Sequence, residues 1–365
     1  MGGLKLPGIS FSGLSLFGKK GKNHPIGLDI GSHSVKLCQM EEADRGFRLV
    51  SVGSAVLPMG AVEEGTLQNP EAVASVVSSL IKSLGIKEKR VAITVSGYSV
   101  IVKRINLAVM SAAELEEYIQ SEAGQYIPFD IADVYLDFQD LKTNTPENDR
   151  TDVMLVAAKK DVVNGYLAML RSAGLQAVIV DVDGFALENS YDTSVTSQEN
   201  VALVDIGATK MSINIVAKGV SVLARDVVVG SRQLTEQIQN RFGLDIDEAE
   251  NLKLGIMAAE DKQHELENIF VSTCTQWAFE VKKAIDLYYS NNPDAALKKL
   301  VLSGGGAKVR GIAQFLKEET GLEAEVFNPF ASVDFNPQKI DPEYLRFLGP
   351  EMAISKGLAV RYSVL

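Results

Sequence analysis

One short pattern occurs twice in this sequence and constrains the fold more than any other feature. The copies read GLDIGS at residues 27–32 and VDIGAT at residues 204–209. In each copy, an apolar run ends in an Asp, then a Gly, then a small or hydroxylated residue. Glycine at a hairpin tip lets backbone N–H groups approach anionic oxygens, and the Asp can hold a hydrated divalent cation beside them. Two copies about 175 residues apart predict two related half-structures that close on one phosphate chain.

Length and composition describe a globular chain and exclude several classes of function. At 365 residues, the chain suits two lobes or a few subdomains rather than one core. The net charge of −11 repels a phosphate backbone and there is no long basic stripe, so nucleic acid is not an expected partner. Cys38 and Cys274 have no Cys-x-x-Cys spacing and are predicted to be reduced core residues, which fits a reducing cytosol. The three histidines are scattered, which argues against a zinc site.

Neither a membrane span nor a secretory signal is predicted. No apolar run approaches the roughly 18–20 residues of a membrane span, and the N-terminus lacks the pattern of a signal peptide. Residues 1–24 are predicted to be a flexible tail, which contains the basic run GKKGK at 18–22. A weak contact between this run and a membrane surface is the alternative interpretation.

Strand and helix signals repeat in the two halves of the sequence. Strands at Ile26–Ile30, Ser34–Glu41 and Phe47–Val56 precede a helix that Asn69 caps, with Pro70 at its first position. The second half repeats this order, with strands at 201–205, 210–216 and 220–228 and helices at 231–242, 247–254 and 265–291. The repetition predicts a bilobal α/β fold.

A segment with a different order of predicted strands and helices interrupts the first half. Strands are predicted at 91–95, 100–107, 134–141 and 153–158, one helix begins at a capping box formed by Ser111 and Glu114, and another ends at Gly174. We therefore predict a compact inserted module. The predicted division is a tail (1–24), a first-lobe core (25–89), the inserted module (90–175), a first-lobe continuation with a crossover helix (176–200), a second lobe (201–347) and a closing helix (348–365).

Two further elements could contact a nucleotide. LSGGGA at 302–307 is a strand that runs into glycines and then into a helix predicted at 309–320, and glycine would let the backbone pass under a flat base or ribose. A triple glycine is also an ordinary adaptable turn. Glu250 and Lys253 share one helix face and could straddle a ribose or an adenine edge, or form only a solvated ion pair. All four elements occur in one consistent order, which favours a nucleotide site.

This order of elements resembles the superfamily of actin, the heat-shock chaperone ATPases and the sugar kinases. The inserted module resembles the small domain of the cell-division protein FtsA. The resemblance narrows to the PilM family of type IV pilus assembly proteins, and it covers nearly the whole chain after about residue 24. It is carried by IGLDIGSHSVK (26–36), EAGQYIPF (122–129), DGFALENSY (183–191), LSGGGAKVRG (302–311) and AISKGLA (353–359).

The resemblance implies a bilobal actin-like fold that binds ATP and Mg²⁺. It places Asp29 and Asp205 near a hydrated Mg²⁺, and Glu250 and Lys253 at the ribose and base. Backbone groups around the phosphates would come from Gly31, Ser32, Gly207, Ala208 and Thr209, with Ser34 and Lys36 on the strand that leaves the first turn, and Gly304, Gly305 and Gly306 under the nucleotide. No Gly-x-x-x-x-Gly-Lys-Ser/Thr sequence exists, so the phosphate site is not a P-loop.

Hydrolysis is a separate expectation. ATPases of this superfamily place a Glu or Gln in the first crossover segment to orient the attacking water, and the matching position here is Asp183. An Asp is one methylene shorter, and positioning errors near 1 Å can cost roughly a hundredfold in rate. Asp183 could instead cap the helix that begins at Gly184. The expectation is ATP binding with slow or absent turnover.

The inserted module also suggests a partner surface. Leu115, Ile119 and Ala123 form a stripe that would pack on the module's own sheet. The run of Tyr126, Ile127, Pro128 and Phe129 at the helix end could form a groove wall for an extended peptide. The resemblance implies that this guest is the cytoplasmic N-terminal peptide of the membrane protein PilN, with PilO as an indirect partner. Pilus assembly and retraction ATPases, the platform protein and self-association are further implied possibilities.

Two other functional classes stay open at this point. An FtsA-like, filament-forming ATP binder would carry an amphipathic membrane anchor after the last core helix, but the sequence stops at 362–365 directly after that helix. We therefore expect a cytoplasmic protein that is peripheral at the inner membrane, recruited through a partner or through the basic run at 18–22. A small-molecule kinase would need an aspartate base in a first-lobe pocket, for which the inserted module leaves no obvious match.

Overall fold

The structure, a computed structural model, describes residues 24–361 except for 45, 146 and 196–198. Residues 1–23 of the predicted tail, with its basic run, and the final residues 362–365 lie outside the described residues. The last residue of the predicted tail, His24, is buried, and its Nδ1 lies 3.1 Å from the carbonyl oxygen of Arg361, so the tail was predicted one residue too long. The strands are β1 Ile26–Ile30, β2 Ser34–Glu42, β3 Phe47–Val56, β4 Val62–Glu63, β5 Thr66–Leu67, β6 Arg90–Val95, β7 Val100–Ala108, β8 Val134–Asp140, β9 Arg150–Lys159, β10 Gln176–Val182, β11 Val201–Ile206, β12 Met211–Ala217, β13 Val220–Val227, β14 Lys299–Ser303, β15 Glu323–Val326 and β16 Asp334–Phe335. The α-helices are α1 Pro70–Ser83, α2 Ala112–Glu122, α3 Lys160–Ser172, α4 Asp183–Asp192, α5 Ser231–Phe242, α6 Ile246–Lys253, α7 Gln263–Asn291, α8 Ile312–Thr320, α9 Pro342–Leu348 and α10 Ala353–Ala359.

The two halves of the chain build two sheets of the same design. The first sheet has the order β10-β6-β1-β2-β3-β16, and the second has the order β13-β12-β11-β14-β15. In both, a three-stranded antiparallel meander (β1-β2-β3 and β11-β12-β13) continues into parallel strands on the other side of its first strand. The predicted repetition is therefore present, and it places the two Asp-x-Gly turns at equivalent positions, between the first and second strands of each meander.

The inserted module is a three-stranded antiparallel sheet with one helix. Its sheet has the order β7-β9-β8, and α2 covers one face through Leu115 and Ile119, which are buried with strand residues such as Leu155. The capping box of Ser111 and Glu114 is present. The interpretation that the stripe on this helix packs on the module's own sheet is confirmed.

The sheets shift two predicted boundaries. Strand β6 pairs with β1 and β10, and α3 packs against α1 in the first-lobe core, so the inserted strands and their helix span about 100–159 rather than 90–175. Near the end of the chain, β16 pairs with β3, and α9 packs in the same core cluster as β2 and β3. This stretch therefore belongs to the first lobe, although the sequence analysis placed it in the second.

Two crossing helices join the lobes. Helix α10 packs on β1 and β2 of the first lobe, whereas α4 packs on β12 and β13 of the second, and the two helices contact each other. Glycine makes these approaches possible. A Cβ at Gly357 would lie 1.7 Å from the carbonyl oxygen of Ala186, and one at Gly27 would lie 1.9 Å from that of Ser355. Backbone therefore packs directly on backbone where α10 meets α4 and where α10 meets β1.

Glu188, on α4, gives this crossing a testable pH dependence. Its side chain is buried, and Oε1 accepts a hydrogen bond of 3.0 Å from the backbone N–H of Ser221. Burial, with the nearby Asp192, raises the pKa of Glu188 to about 8 from an ordinary value of 4.5. The folded chain therefore keeps a proton that the unfolded chain loses, and the linked stabilisation disappears as pH rises from 4.5 to 8.

We expect the free energy of unfolding of Glu188→Gln to equal that of the wild type near pH 4.5. At pH 8, we expect the variant's free energy of unfolding to be higher, by on the order of 2 kcal/mol. Denaturant unfolding across this pH range measures the difference. The exposed Glu117→Gln serves as the control for loss of one acidic charge. A difference that does not change with pH would contradict the assigned pKa.

Among residues 24–361, apart from the five left undescribed, no helix combines the length and the apolar character that crossing a membrane requires. Both cysteines are buried, as predicted.

Candidate functional site

The two Asp-x-Gly turns meet in one cleft between the lobes. The cleft has a volume of about 550 Å³. Its lining includes nearly every residue that the sequence analysis assigned to nucleotide or metal: Asp29, Gly31, Ser32, Ser34, Lys36, Asp183, Asp205, Gly207, Ala208, Thr209, Glu250, Lys253, Gly304 and Gly305. Gly306 is absent from this lining. The predicted convergence on a single cavity is therefore what the structure shows.

The turns have matching backbone geometry and touch at their tips. The N–H of Gly31 donates to the carbonyl of Ser34 at 3.1 Å, and the N–H of Gly207 donates to the carbonyl of Lys210 at 2.8 Å. Across the cleft, the hydroxyl of Thr209 donates to that of Ser32 at 2.8 Å. Arg232, in the first turn of α5, donates to the Ser32 carbonyl at 3.1 Å. A ligand held by one turn would therefore lie within reach of the other.

Carboxylates and one lysine line the floor between the turns. Lys36 Nζ lies 3.3 Å from Asp29 Oδ2, and Asp205 accepts a hydrogen bond of 2.7 Å from the hydroxyl of Ser303. Burial raises the pKa of Asp205 to about 6, and the charge of Asp29 contributes. Burial also raises the pKa of Asp29, against the opposing effect of Lys36. A cation placed between these carboxylates would favour their ionised forms.

These residues fit Mg²⁺ only in its hydrated, phosphate-bound form. The described residues contain no group of three or more His, Cys, Asp or Glu side chains that could hold a metal by themselves. Mg²⁺ usually keeps several waters and binds through one or two carboxylates together with substrate phosphates. Asp29 and Asp205 supply such a pair beside the turns.

Glu250 and Lys253 form an ion pair in which the lysine is buried and the carboxylate is one-third exposed. Lys253 Nζ lies 2.6 Å from Glu250 Oε1, and the lysine side chain is only 3% exposed. Thr235 on α5 fixes the position of the pair, because its hydroxyl accepts a hydrogen bond of 2.9 Å from Lys253 and donates one of 2.5 Å to Glu250. Both side chains therefore face the cleft in fixed positions.

Some of the glycines after β14 line the cleft, and some pack closely against the end of β11. A Cβ at Gly304 would lie 2.5 Å from the carbonyl oxygen of Ile206, and one at Gly306 would lie 2.3 Å from the Ile206 side chain. Gly306 therefore packs beneath β11 rather than lining the cavity. Helix α8 begins at Ile312, later than predicted, because Gly311 adopts a left-handed φ of +87° before it.

Asp183 lies at the first position of α4 and does not cap that helix. Its carboxylate instead accepts a hydrogen bond of 2.5 Å from Lys210 Nζ. Lys210 also lies 3.1 Å from Asp226 on β13. The capping interpretation is therefore wrong, and the Asp183 carboxylate points toward the second turn.

Sequence reasoning missed several residues of the cleft wall. Lys308 forms an ion pair with Glu351, and its Nζ lies 3.8 Å from the centroid of the Phe347 ring. Tyr344 on α9 also lines the cleft. Only the position of Lys308, directly after the glycine turn, offered a signal. The others lie on first-lobe elements that return to the cleft from far along the chain.

In the inserted module, the Tyr126–Phe129 run is partly buried. Ile127 belongs to the module core, while the hydroxyl of Tyr126 hydrogen-bonds that of Tyr118 at 2.9 Å. Pro128 is exposed, and the ring of Phe129 lies 5.0 Å from Lys159 Nζ. Tyr126, Pro128 and Phe129 therefore keep accessible surface.

Solved structures with the same overall fold include actin-like proteins. A chain from a PilM-PilN type IV pilus biogenesis complex is 28% identical, with a TM-score of 0.82 over 94% of this chain and 100% of that chain. The ethanolamine utilization protein EutJ from Carboxydothermus hydrogenoformans is 14% identical, with a TM-score of 0.56 over 93% and 91% of the two chains. MreB 5 of Spiroplasma citri, bound to AMPPNP, is 10% identical, with a TM-score of 0.53 over 93% and 95%. The last two matches show the fold alone, which is the bilobal actin-like α/β fold expected from the sequence.

The sequence profile described as type IV pilus assembly protein PilM matches residues 27–363, which is nearly all of the chain. Together with the two-lobed fold, this match shows that the chain belongs to the PilM family of type IV pilus assembly proteins.

Proposed function

We propose that this chain is an ATP-binding adaptor of the type IV pilus assembly platform at the cytoplasmic face of the inner membrane. The observation that carries the proposal is the meeting of two equivalent phosphate-type turns, one from each lobe, at a single cleft. The N–H groups of Gly31 and Gly207 close the turns, so Lys36 and the backbone N–H groups of Ser32, Ala208 and Thr209 at the tips would supply the donors for phosphate oxygens. The ion pair of Glu250 and Lys253, which lines the same cleft, would contact the ribose and base.

Mg²⁺ bound with ATP would neutralise phosphate charge beside Asp29 and Asp205. Because the nucleotide would contact both lobes, its presence would favour the closed arrangement. We propose slow turnover, below about 1 per second, because Asp183 is short for a water-orienting role. A faster turnover that Asp183→Ala removes would contradict the slow-ATPase proposal.

We further propose that the module binds the N-terminal cytoplasmic peptide of PilN at the Tyr126–Phe129 run, which links this chain to PilO and the pilus motor. Support comes from the PilM-PilN complex, whose PilM-like chain this one resembles along its whole length. The exposed Pro128 and the half-buried rings of Tyr126 and Phe129 offer an apolar strip for an extended peptide.

A peptide titration tests this surface. We expect Tyr126→Ala to weaken binding of a PilN N-terminal peptide about thirtyfold, since loss of an aromatic anchor costs about 2 kcal/mol. Tyr126→Phe is the matched control, because it removes the hydroxyl bond to Tyr118 but keeps the ring. Fluorescence anisotropy measures both affinities, and thermal unfolding confirms that both variants fold. Equal affinities for the wild type and Tyr126→Ala would count against this site.

A small-molecule kinase is the second candidate within this fold. A phosphoryl-transfer screen against sugars and glycerol separates it from the adaptor. The family match favours pilus assembly over both this class and an FtsA-like filament protein.

A further inference from the structure

Lys210 lies between two carboxylates where the second turn meets the crossover helix α4. Its Nζ is 2.5 Å from Asp183 Oδ2 and 3.1 Å from Asp226 Oδ2, and its side chain is only 18% exposed. Asp226 is itself fixed, because it accepts from the hydroxyl of Ser212 at 2.6 Å and from the backbone N–H of Gly97 at 2.7 Å. The ammonium group is therefore held in place from the β13 side.

This arrangement affects Asp183, the cleft carboxylate that the family resemblance assigns to orienting the attacking water. A carboxylate orients or activates water through a free lone pair at hydrogen-bond distance. In Asp183, Oδ2 accepts a hydrogen bond from Lys210 Nζ, so that lone pair is no longer free for a water molecule. Asp183 therefore faces the cleft as half of an ion pair.

We propose that Lys210 withholds Asp183 from the attacking water and is the positioning residue that keeps ATP turnover slow; this inference rests on the proposed ATP site. In hydrolysis, the water oxygen bonds to the γ-phosphorus and the bond from that phosphorus to the bridging oxygen breaks. ADP and inorganic phosphate leave, and the water's proton passes to phosphate or solvent. The step needs a positioned water, and the ion pair restrains the carboxylate that would position it, because Oδ2 is bound to Lys210.

A charge-matched double variant tests the inference. The cluster of Lys210, Asp183 and Asp226 carries a formal charge of −1. Lys210→Met combined with Asp226→Asn keeps that charge but leaves Asp183 unpaired. We expect its turnover number to rise at least about tenfold over the wild type, while the Kd for a non-hydrolysable ATP analogue stays within about threefold. Adding Asp183→Asn to the double variant should remove the gain.

Two controls separate this role from a general effect on folding. Lys282→Met removes one cation of an exposed pair with Glu319, outside the cleft, and should leave turnover unchanged. Lys210→Gln is a milder second variant, expected to raise turnover in the same direction if the double variant folds poorly. Without nucleotide, Lys210→Met and Asp183→Asn should have non-additive effects on the free energy of unfolding, because the two side chains are in contact.

The outcomes distinguish this inference from the proposed function. A wild type that binds no ATP analogue overturns the nucleotide site itself. Intact binding with unchanged or lower turnover in the double variant overturns the role of Lys210, as does a gain that survives Asp183→Asn. Additive effects on unfolding would show that the ion pair does not form in solution.

Discussion

Gly357→Ala is expected to destabilise the folded chain by about 3 kcal/mol, because the added methyl group has no space. Its Cβ would lie 1.7 Å from the Ala186 carbonyl oxygen and 2.7 Å from the carbonyl carbon. These are backbone atoms of a crossing helix, so no side chain can rotate away. Relief requires α4 and α10 to separate, and these helices join the lobes. Denaturant unfolding measures the loss.

Gly165→Ala is the matched control for this prediction. Gly165 lies on the exposed face of α3, and a Cβ there meets no atom of the described residues within 4 Å. Alanine should stabilise this helix by roughly 0.5–1 kcal/mol through its higher helix propensity. If Gly357→Ala were as stable as the control, the close crossing of α4 and α10 would be wrong.

Gly31→Val and Gly207→Val are each expected to weaken ATP binding at least about a hundredfold. A Cβ at Gly31 would lie 2.9 Å from Lys36 Nζ, so a valine would displace the lysine from its proposed contact with the phosphates. A Cβ at Gly207 would lie 2.8 Å from the Lys210 carbonyl oxygen and would force the second turn open. A lost hydrogen bond from a charged group costs about 1.5–3 kcal/mol, and about 2.7 kcal/mol corresponds to a hundredfold in affinity.

Isothermal titration calorimetry with Mg·ATP measures this prediction, with Gly165→Val as the control for adding the same side chain on an exposed helix. Because each turn belongs to a different lobe, the result also tests whether both lobes serve one site. Loss of binding in only one of the two variants would indicate that one turn has another role.

The sequence predicted those parts of the site that depend on local pattern. Each of the two turns is encoded by residues that lie next to each other in the sequence, and both turns line the cleft. The same is true of two helix starts outside the site, the Asn69 cap and the Ser111–Glu114 capping box, which the structure also contains. Ser34 and Lys36 both face the cleft because strand alternation places them on one side.

Features that depend on distant chain segments were not predictable in the same way. Nothing local marks β16 as a partner of β3, or indicates that α9 returns to the first lobe. Asp183 illustrates the limit most clearly. Its position at a helix start suggested a cap, but its carboxylate forms an ion pair with Lys210, which is 27 residues away in the sequence. A nearby opposite charge outweighs the helix N-terminus as a partner.

A crystal structure of the chain with Mg²⁺ and a non-hydrolysable ATP analogue tests the central claim most directly. The account predicts one nucleotide per chain, with β- and γ-phosphate oxygens within hydrogen-bond distance of backbone N–H groups from both Gly31–Ser32 and Gly207–Thr209. A nucleotide bound outside this cleft, or contacting only one of the two turns, would contradict it.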